Sequence, residues 1–454
     1  MTPDAKLQIF AIKRGDVITN FSIKYAMFIF KYGRLLAKHR TLKEFLSQPL
    51  SNGIFVPPQL FGTGTKLVNV FDLYQGPYVQ ENTLESVQIT KQDEQKYSAI
   101  TGDVLFCRSS IKPEGVGWTS YIKSTKKPLV YECHIIRARL NKEIEPAFLS
   151  YFAQTKLCRN YILANASITT MATIPQEVIE RIPLICPSLE TQQRLVKKLE
   201  IAYGIKIQKL QQAEELLAGM DEFVLKTLGI HVPSSSKFFC WAITLWTLKA
   251  SNSFSPEYFH PERLSIIDAL KNSSLPTFSL NEKVIFKRDL LDSKSSDYQF
   301  LGLASVQSNT GERISSEDEV AGSSFKYNSG DVLYCRLRPY LNKVYFAEES
   351  GICSTEFHVM EPKNDSILPE YLAVIMRSKL ILCQTKHMMT GNTHPRISDE
   401  DVKALVIPVP SKKVQQKIVD EYKIRTSRAR QLRQEAEKEW QDAREQFEKE
   451  LLGE

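Results

Sequence analysis

The sequence predicts a mixed α/β (α+β) protein in which one domain occurs twice and two long helices separate the copies, paired as an antiparallel coiled coil. Three observations carry this. An amphipathic run of about 43 residues from Ser188 to Ile230 returns at the end of the chain, from Pro410-Ser411 to Gly453-Glu454. The heptapeptide Gly102-Asp-Val-Leu-Phe-Cys-Arg108 returns as Gly330-Asp-Val-Leu-Tyr-Cys-Arg336. Around both heptapeptides the pattern of strands, helices and polar loops follows the same order, offset by about 223 to 228 residues.

In the first long run, Ser188 is placed to cap a helix, and Gly229 and Pro233 are stop signals. Val196, Leu199, Tyr203, Ile207, Leu210, Ala213, Leu217, Met220, Val224 and Leu228 recur at steps of three and four. That spacing makes one apolar seam on a helix roughly 65 Å long. Lys197, Lys198, Lys206, Lys209, Glu214, Glu215, Asp221 and Glu222 lie off the seam and are expected to be solvated, while Gly204 and Gly219 each weaken the helix by about 1 kcal/mol relative to alanine. The second run repeats the seam with Val414, Ile418, Tyr422, Ala429, Leu432, Ala436, Trp440, Ala443, Phe447 and Leu451, broken only by the polar Arg425. Gln192-Gln193 match Gln415-Gln416, and Phe223 matches Phe447. Two such helices in one chain favour an antiparallel pair within it, the competing geometry being parallel packing between two chains. The chain therefore divides into a first domain (1–187), a central helix (188–232), a second domain (233–410) and a C-terminal helix (411–454).

Composition fits that division. A length of 454 residues suits two or three domains, and 43% hydrophobic with 24% charged residues is the balance of a globular protein. No stretch is apolar enough for a membrane span, and no secretory signal is evident. The eight cysteines form no C-x-x-C pair, so neither a disulfide scaffold nor a zinc site is indicated, and a reducing cytoplasm is expected. A net charge of +7 is compatible with a nucleic-acid binder.

The opening forty residues are apolar and basic (Lys6, Lys13, Arg14, Lys24, Lys31, Arg34, Lys38, Arg40) and suggest no role. From Phe55 to Leu73 short β-rich runs alternate with turns. The first heptapeptide reads as a turn feeding a buried strand. A polar loop from Ser109 to Pro128 follows, then a strand from Leu129 to Arg139, a helix from Pro146 to Leu163, a polar loop over Asn165–Thr173 and a short helix around Glu177–Arg181. In the second copy Leu337–Lys343 replaces the longer loop, Ser354–His358 stands for the second strand, Leu368-Pro-Glu-Tyr371 opens the helix, and Thr390–Arg396 is the polar loop. A shared framework with divergent loops is what two readers of different targets would look like.

The chain shows no chemistry of its own. An amino-methyltransferase needs an Asn-Pro-Pro-aromatic tetrad and a glycine-rich turn for its methyl donor, and neither is present. Gly62-Thr-Gly-Thr-Lys66 lacks the spacing of a phosphate loop. Cys107 with His134 and Cys335 with His358 could form nucleophile–base pairs, but cysteines in apolar strands are ordinarily packing residues. Glu435, Glu437 and Glu439 belong to a solvated helix surface. DNA contact is better supported, since arginine and lysine bind phosphate and arginine can bond guanine. The candidates are Arg108, Ser109, Lys112, Lys123, Lys126 and Lys127 in the first copy. In the second they are Arg336, Arg338, Tyr340, Asn342 and Lys343, with Thr390, Asn392 and Arg396 on a further loop.

The duplicated heptapeptide, the Pro-Ser…Gln-Gln approach to both helices, and Thr390–Arg396 followed by Ile397-Ser-Asp resemble the specificity subunit of type I restriction–modification systems. So does Ser255-Pro-Glu-Tyr-Phe-His-Pro261, which is similar to the family's lead-in to its second recognition domain; no matching lead-in stands near the N-terminus. The resemblance implies two target recognition domains held apart by the helices, each reading half of a bipartite double-stranded DNA target. It implies two methyltransferase subunits docked on the helices, carrying S-adenosylmethionine, with no cofactor on this chain, and leaves open whether restriction subunits join them. Two alternatives stay open: a self-sufficient modification enzyme, which the missing motifs disfavour, and a coiled-coil adaptor of a defence complex without sequence readout.

Overall fold

The computed structural model describes residues 23–37, 39–232, 241–251, 257–292, 298–316, 318, 322–391 and 393–453. Residues 1–22 with Lys6, Lys13 and Arg14, and likewise Lys38, Pro233, Ser255, Pro256, Asn392 and Glu454, lie outside the described residues. The chain forms two compact units, one of Met1–Ile207 with Ala436–Glu454 and one of Gln208–Glu435.

Both heptapeptides form the same structure. Gly102 (φ +91°) and Gly330 (φ +88°) take the left-handed turn conformation that favours glycine. The aspartate after each is buried and closes the turn: Asp103 Oδ2 accepts from the Ile100 N–H at 2.8 Å, and Asp331 Oδ2 from the Asn328 N–H at 2.8 Å. A cation completes each, Arg139 on Asp103 and Lys287 on Asp331. Val104–Cys107 and Val332–Cys335 then enter four-stranded antiparallel sheets of matching order. In the first unit that order is Ser51–Asn52, Ile135–Ala138, Val104–Cys107, Thr119–Tyr121. In the second it is Val284–Lys287, Phe357–Pro362, Val332–Cys335, Val344–Phe346.

Each unit has another four-stranded sheet with a common core. Leu129–Tyr131 lies parallel to Phe61–Val68 and antiparallel to Ser98–Ala99; Gly351–Ser354 lies parallel to Phe300–Leu301 and antiparallel to Ser323–Tyr327. The fourth strand is added at opposite edges, Glu85–Val87 beside Phe61–Val68 and Leu290–Asp292 beside Ser323–Tyr327. The expected single strand Leu129–Arg139 is thus two strands in two sheets, broken over residues 132–134. The expected helix Pro146–Leu163 is likewise two helices, Pro146–Ala153 and Lys156–Asn165. Thr155 ends the first and caps the second, its hydroxyl accepting from the Cys158 N–H at 3.3 Å. Pro369–Arg377 and Lys379–Thr385 break in the same place at Ser378.

The N-terminal residues acquire a role. Ile23–Leu36 is a helix that packs on Lys156–Asn165, with Phe28 edge-on to Tyr161 at 5.5 Å between ring centroids. Pro261–Lys271, opened by His260 and Pro261 of the lead-in segment, packs on Lys379–Thr385 in the equivalent position. The first copy therefore has its lead-in helix, spelled with different residues.

The long helices run Leu189–Leu228 (40 residues) and Lys412–Leu452 (41 residues). Ser188 Oγ accepts from the Thr191 N–H at 3.4 Å, and Gly229 (φ +64°) ends the central helix while the Ile230 N–H returns to the Leu225 carbonyl at 2.9 Å. Within each unit the segments run antiparallel. In the first, Arg194 and Lys198 pair with Glu450, Lys206 with Glu437, and Leu199 and Tyr203 pack with Trp440 and Phe447. In the second, Lys209 pairs with Glu435, Leu217 with Leu432 belongs to one apolar cluster, and Val224, Ile418 and Tyr422 join the domain core. Leu210 is half-buried. Three expectations change. Ile207 is 45% exposed, Lys206 and Lys209 are largely covered rather than solvated, and Glu435 and Glu437 are their partners. The polar break is accommodated because Arg425 crosses over Gly219, where a Cβ would stand 2.8 Å from its Nη1, and lies over the Phe223 ring.

The glutamine in the first turn of each long helix is its anchor. Gln192 and Gln415 are fully buried, and the side chain of each bonds three backbone groups. Gln192 Oε1 accepts from the Glu145 N–H (2.8 Å) while Nε2 donates to the Glu143 and Pro187 carbonyls. Gln415 Oε1 accepts from the Leu368 N–H (2.8 Å) while Nε2 donates to the Ser366 and Pro410 carbonyls. Each thereby ties the start of a long helix to the start of a domain helix.

Candidate nucleic-acid interface

In the first copy the expected polar loop is not one surface. Arg108 leaves the end of its strand exposed, its N–H bonded to the His134 carbonyl at 2.7 Å, and Lys112 is exposed four residues on. Ser109 is buried, in a short strand that pairs with Ala172–Thr173 of the Asn165–Thr173 loop, which folds as a hairpin. The chain then re-enters the core as Thr119–Tyr121, so Lys123, Lys126 and Lys127 emerge at the opposite end of the same strand pair. Lys126 and Lys127 are exposed; Lys123 is held by Glu200 at 2.6 Å. Arg159 braces the outer part of the loop. It donates to the Val116 and Glu114 carbonyls at 2.6 Å and sits over the Trp118 ring, and burial lowers its pKa. At the tip, Ile111 is 81% exposed between Arg108 and Lys112.

In the second copy the candidates draw together more closely. Arg338 (φ +49°) is held in the left-handed region by its N–H to the Pro395 carbonyl at 2.7 Å, with Leu337 bridged to Arg396. Arg396 grips Glu356 through Nε and Nη2 (2.7 Å), and Thr390 closes the loop by pairing with Arg396. Tyr340 is 46% exposed. Asn342 and Lys343 turn inward instead: Asn342 Nδ2 donates to the Arg377 carbonyl at 2.7 Å, and Lys343 Nζ to the Leu303 carbonyl at 2.7 Å. Arg336, Arg338, Thr390 and Arg396 thus share one surface, whereas Asn342 and Lys343 are bonded within the domain, Ser109 is buried, and Lys123 is tied to Glu200 of the central helix.

Behind Arg336 lies a polar cavity of about 200 Å³. Arg288 is ion-paired to Asp399 at its edge, Arg336 Nη1 stands 3.9 Å from the same carboxylate, and His358 Nδ1 is 3.4 Å from it. Burial first, then the charges of Arg336, Arg288 and Lys403, hold His358 down to about 3, so it is neutral at physiological pH. Sequence reasoning missed Arg288, Glu356 and Asp399, because each acts on a candidate from a distant segment. In the first copy, among the described residues, Arg108 keeps the place of Arg336 but its neighbours are uncharged. Ile136 takes the place of His358, and Gln176 donates to Asn52 at 3.1 Å.

The cysteine–histidine pairs are not pairs. Cys107 lies opposite Ile135 and Cys335 opposite Phe357, so His358 matches Ile136 rather than His134. Burial raises both thiols, Cys335 to about 11, which leaves neither a ready thiolate. Among the described residues two groups bring metal-ligating atoms together, Glu132–Cys133–His134 and His260–Glu262–His387. In the second, Glu262 already receives His387 at 3.0 Å and the Lys386 ammonium at 3.1 Å, an ion-pair network that disfavours a cation. Among the described residues no helix is long and apolar enough to cross a membrane.

Comparison with known proteins accounts for the duplication. A family profile described as the type I restriction modification DNA specificity domain matches residues 64–218 and again 277–424. The chain is 31% identical over 113 residues to the specificity subunit of the type I restriction enzyme HindI of Haemophilus influenzae, covering 24% of this chain and 25% of that one. It is 24% identical over 334 residues to the specificity subunit of the Escherichia coli enzyme EcoDI, covering 69% and 70%. The match therefore spans about a quarter of the first relative's length and just over two thirds of the second's. Among solved structures, the type I restriction–modification S subunit from M. genitalium superposes with a TM-score of 0.44 at 14% identity, covering 91% of this chain and 95% of that one. With the profile matched once in each copy and over most of the length, the chain belongs to the DNA-specificity subunits of type I restriction–modification systems, the non-catalytic members of those complexes.

Proposed function

We propose that each domain of this chain reads one half of a bipartite duplex target, on behalf of methyltransferase and restriction subunits that carry the chemistry. The observation that carries this reading is one framework built twice with different exposed or half-buried residues at equivalent strand ends. Arg108, Ile111 and Lys112 stand at one, and Arg336, Arg338 and Tyr340 at the other. Cationic side chains there supply phosphate contacts, and those that reach base edges supply discrimination of about 1–3 kcal/mol per base pair. Lys126 and Lys127 add backbone contacts, as does the loop over 390–396. The division at 187/188, 232/233 and 410/411 separates the two readers from the helices. Two methyltransferase subunits dock on the outward faces of the helix pair and hold the S-adenosylmethionine, because two equivalent helix–domain junctions imply two copies of one partner. The complex works in the cytoplasm, where its DNA is.

Exchanging residues 108–118 for those of a relative with a different target tests the reading, with the methylome of the host as readout. One half of the methylated motif should change and the other persist; exchanging residues 336–343 should do the reverse. An exchange that altered both halves would remove independent readout. The adaptor alternative predicts that no motif changes while the partner complex still assembles.

A further inference from the structure

Each unit contains one junction between its domain and the helix pair, and the two junctions are related with the helices exchanging roles, the carboxylate tethers lying about one helical turn apart. In the first, Tyr151 and Gln154 face Leu199 of the central helix and Arg444, Phe447 and Glu448 of the C-terminal helix. In the second, Val374 and Arg377 face Tyr422 of the C-terminal helix and Met220, Asp221 and Val224 of the central one. The tethers correspond: the Lys156 N–H donates to Glu448 at 3.2 Å, and the Lys379 N–H to Asp221 at 2.7 Å. So do the bonds back to the sheet, Gln154 Nε2 to the Thr119 carbonyl at 2.9 Å and Arg377 Nη1 to the Val344 carbonyl at 2.9 Å.

The filling differs. Tyr151 packs against Trp440 and Phe447 and leaves about 40 Å³, whereas the second junction encloses about 380 Å³, within the range of small-molecule sites. Into it faces Arg377, which is 8% exposed. Its guanidinium lies 4.5 Å from the Tyr422 ring centre, and its Nε has no acceptor. Among the described residues no ion pair neutralises it, while Arg425 and Arg433 on the same cavity are held by Glu421 and Glu312. Burial lowers its pKa, and only Tyr422 acts in the opposite direction. An uncompensated buried charge is strongly unfavourable unless something completes it. Two asparagines at the cavity, Asn309 (φ +64°) and Asn342 (φ +50°), hold left-handed backbone, the kind of strain that concentrates at ligand sites.

We propose that this cavity binds a small organic anion, a carboxylate on a compact apolar body. The carboxylate meets the guanidinium of Arg377, whose planar donors match it. The body lies along Leu217, Met220, Val224 and Val374.

The test is calorimetric titration of the full chain with 3-phenylpropionate, isovalerate and inorganic phosphate. One carboxylate should bind per chain, and phosphate at least tenfold more weakly for want of an apolar body. Arg377→Gln installs the residue that the first junction uses and should weaken binding at least tenfold. Val374→Tyr installs the bulk that closes the first junction and should abolish binding while Arg377 remains. Neither carboxylate binding, phosphate binding equally well, or Val374→Tyr binding undiminished would each overturn the proposal. None of these measurements reads DNA, so their failure leaves the recognition reading untouched.

Discussion

Where the domain meets the long helices, the first copy is closed by Tyr151, Trp440 and Phe447, and the second leaves Arg377 facing open volume. A few residues away, Gln192 and Gln415 make the same bonds in both copies. Polar anchors with several simultaneous partners hold their geometry because a change at one end strands the others. Apolar volume is less constrained, since many side-chain sets fill or leave a space at modest cost. The candidate DNA surfaces follow the same rule: equivalent strand ends, one with neutral Asn52 and Gln176 beneath it, the other with the Arg288–Asp399–His358 cluster.

The largest test of that contrast is at the matched phenylalanines. Phe447 is buried against Phe148 and Tyr151, whereas Phe223 is half-buried beneath Lys417 and Arg425. Phe447→Ala should cost about 3–5 kcal/mol. Phe223→Ala should cost under about 2 kcal/mol, since less area returns to water. Urea unfolding monitored separately in each unit would show the asymmetry, and equal losses would mean that the closed junction is no better packed than the open one.

The glutamines should behave alike. Gln192→Ala and Gln415→Ala each strand a buried N–H and two carbonyls, for about 1–3 kcal/mol apiece. A difference of more than about 1 kcal/mol between the two variants would break the equivalence of the anchors.

Smallest, and opposite in sign, are the helical glycines. A Cβ at Gly204 meets nothing within 4 Å, so Gly204→Ala should stabilise by up to about 1 kcal/mol. At Gly219 it meets Arg425 Nη1 at 2.8 Å, so Gly219→Ala should gain nothing or lose slightly. Thermal melts of the two variants suffice to separate these outcomes.

The sequence by itself determined the duplication, the Gly-Asp turns, both long helices and most of the seam. These depend on local periodicity and on turn residues whose backbone requirement is read at the residue itself. It also located the strand ends at which Arg108 and Arg336 emerge. Only the tertiary structure decided that Leu129–Arg139 divides between two sheets, because a continuous apolar run does not say where the chain turns from one layer to the next. Only it gave the first copy a lead-in helix at Ile23–Leu36, whose residues share a place but no spelling with Pro261–Lys271. It turned Ser109, Asn342 and Lys343 inward and set Lys126–Lys127 at the far end of the strand pair from Arg108. And among the described residues it left Arg377 without a counter-charge. Such properties depend on which distant segments meet, and a partner supplied from dozens of residues away leaves no mark on the local pattern.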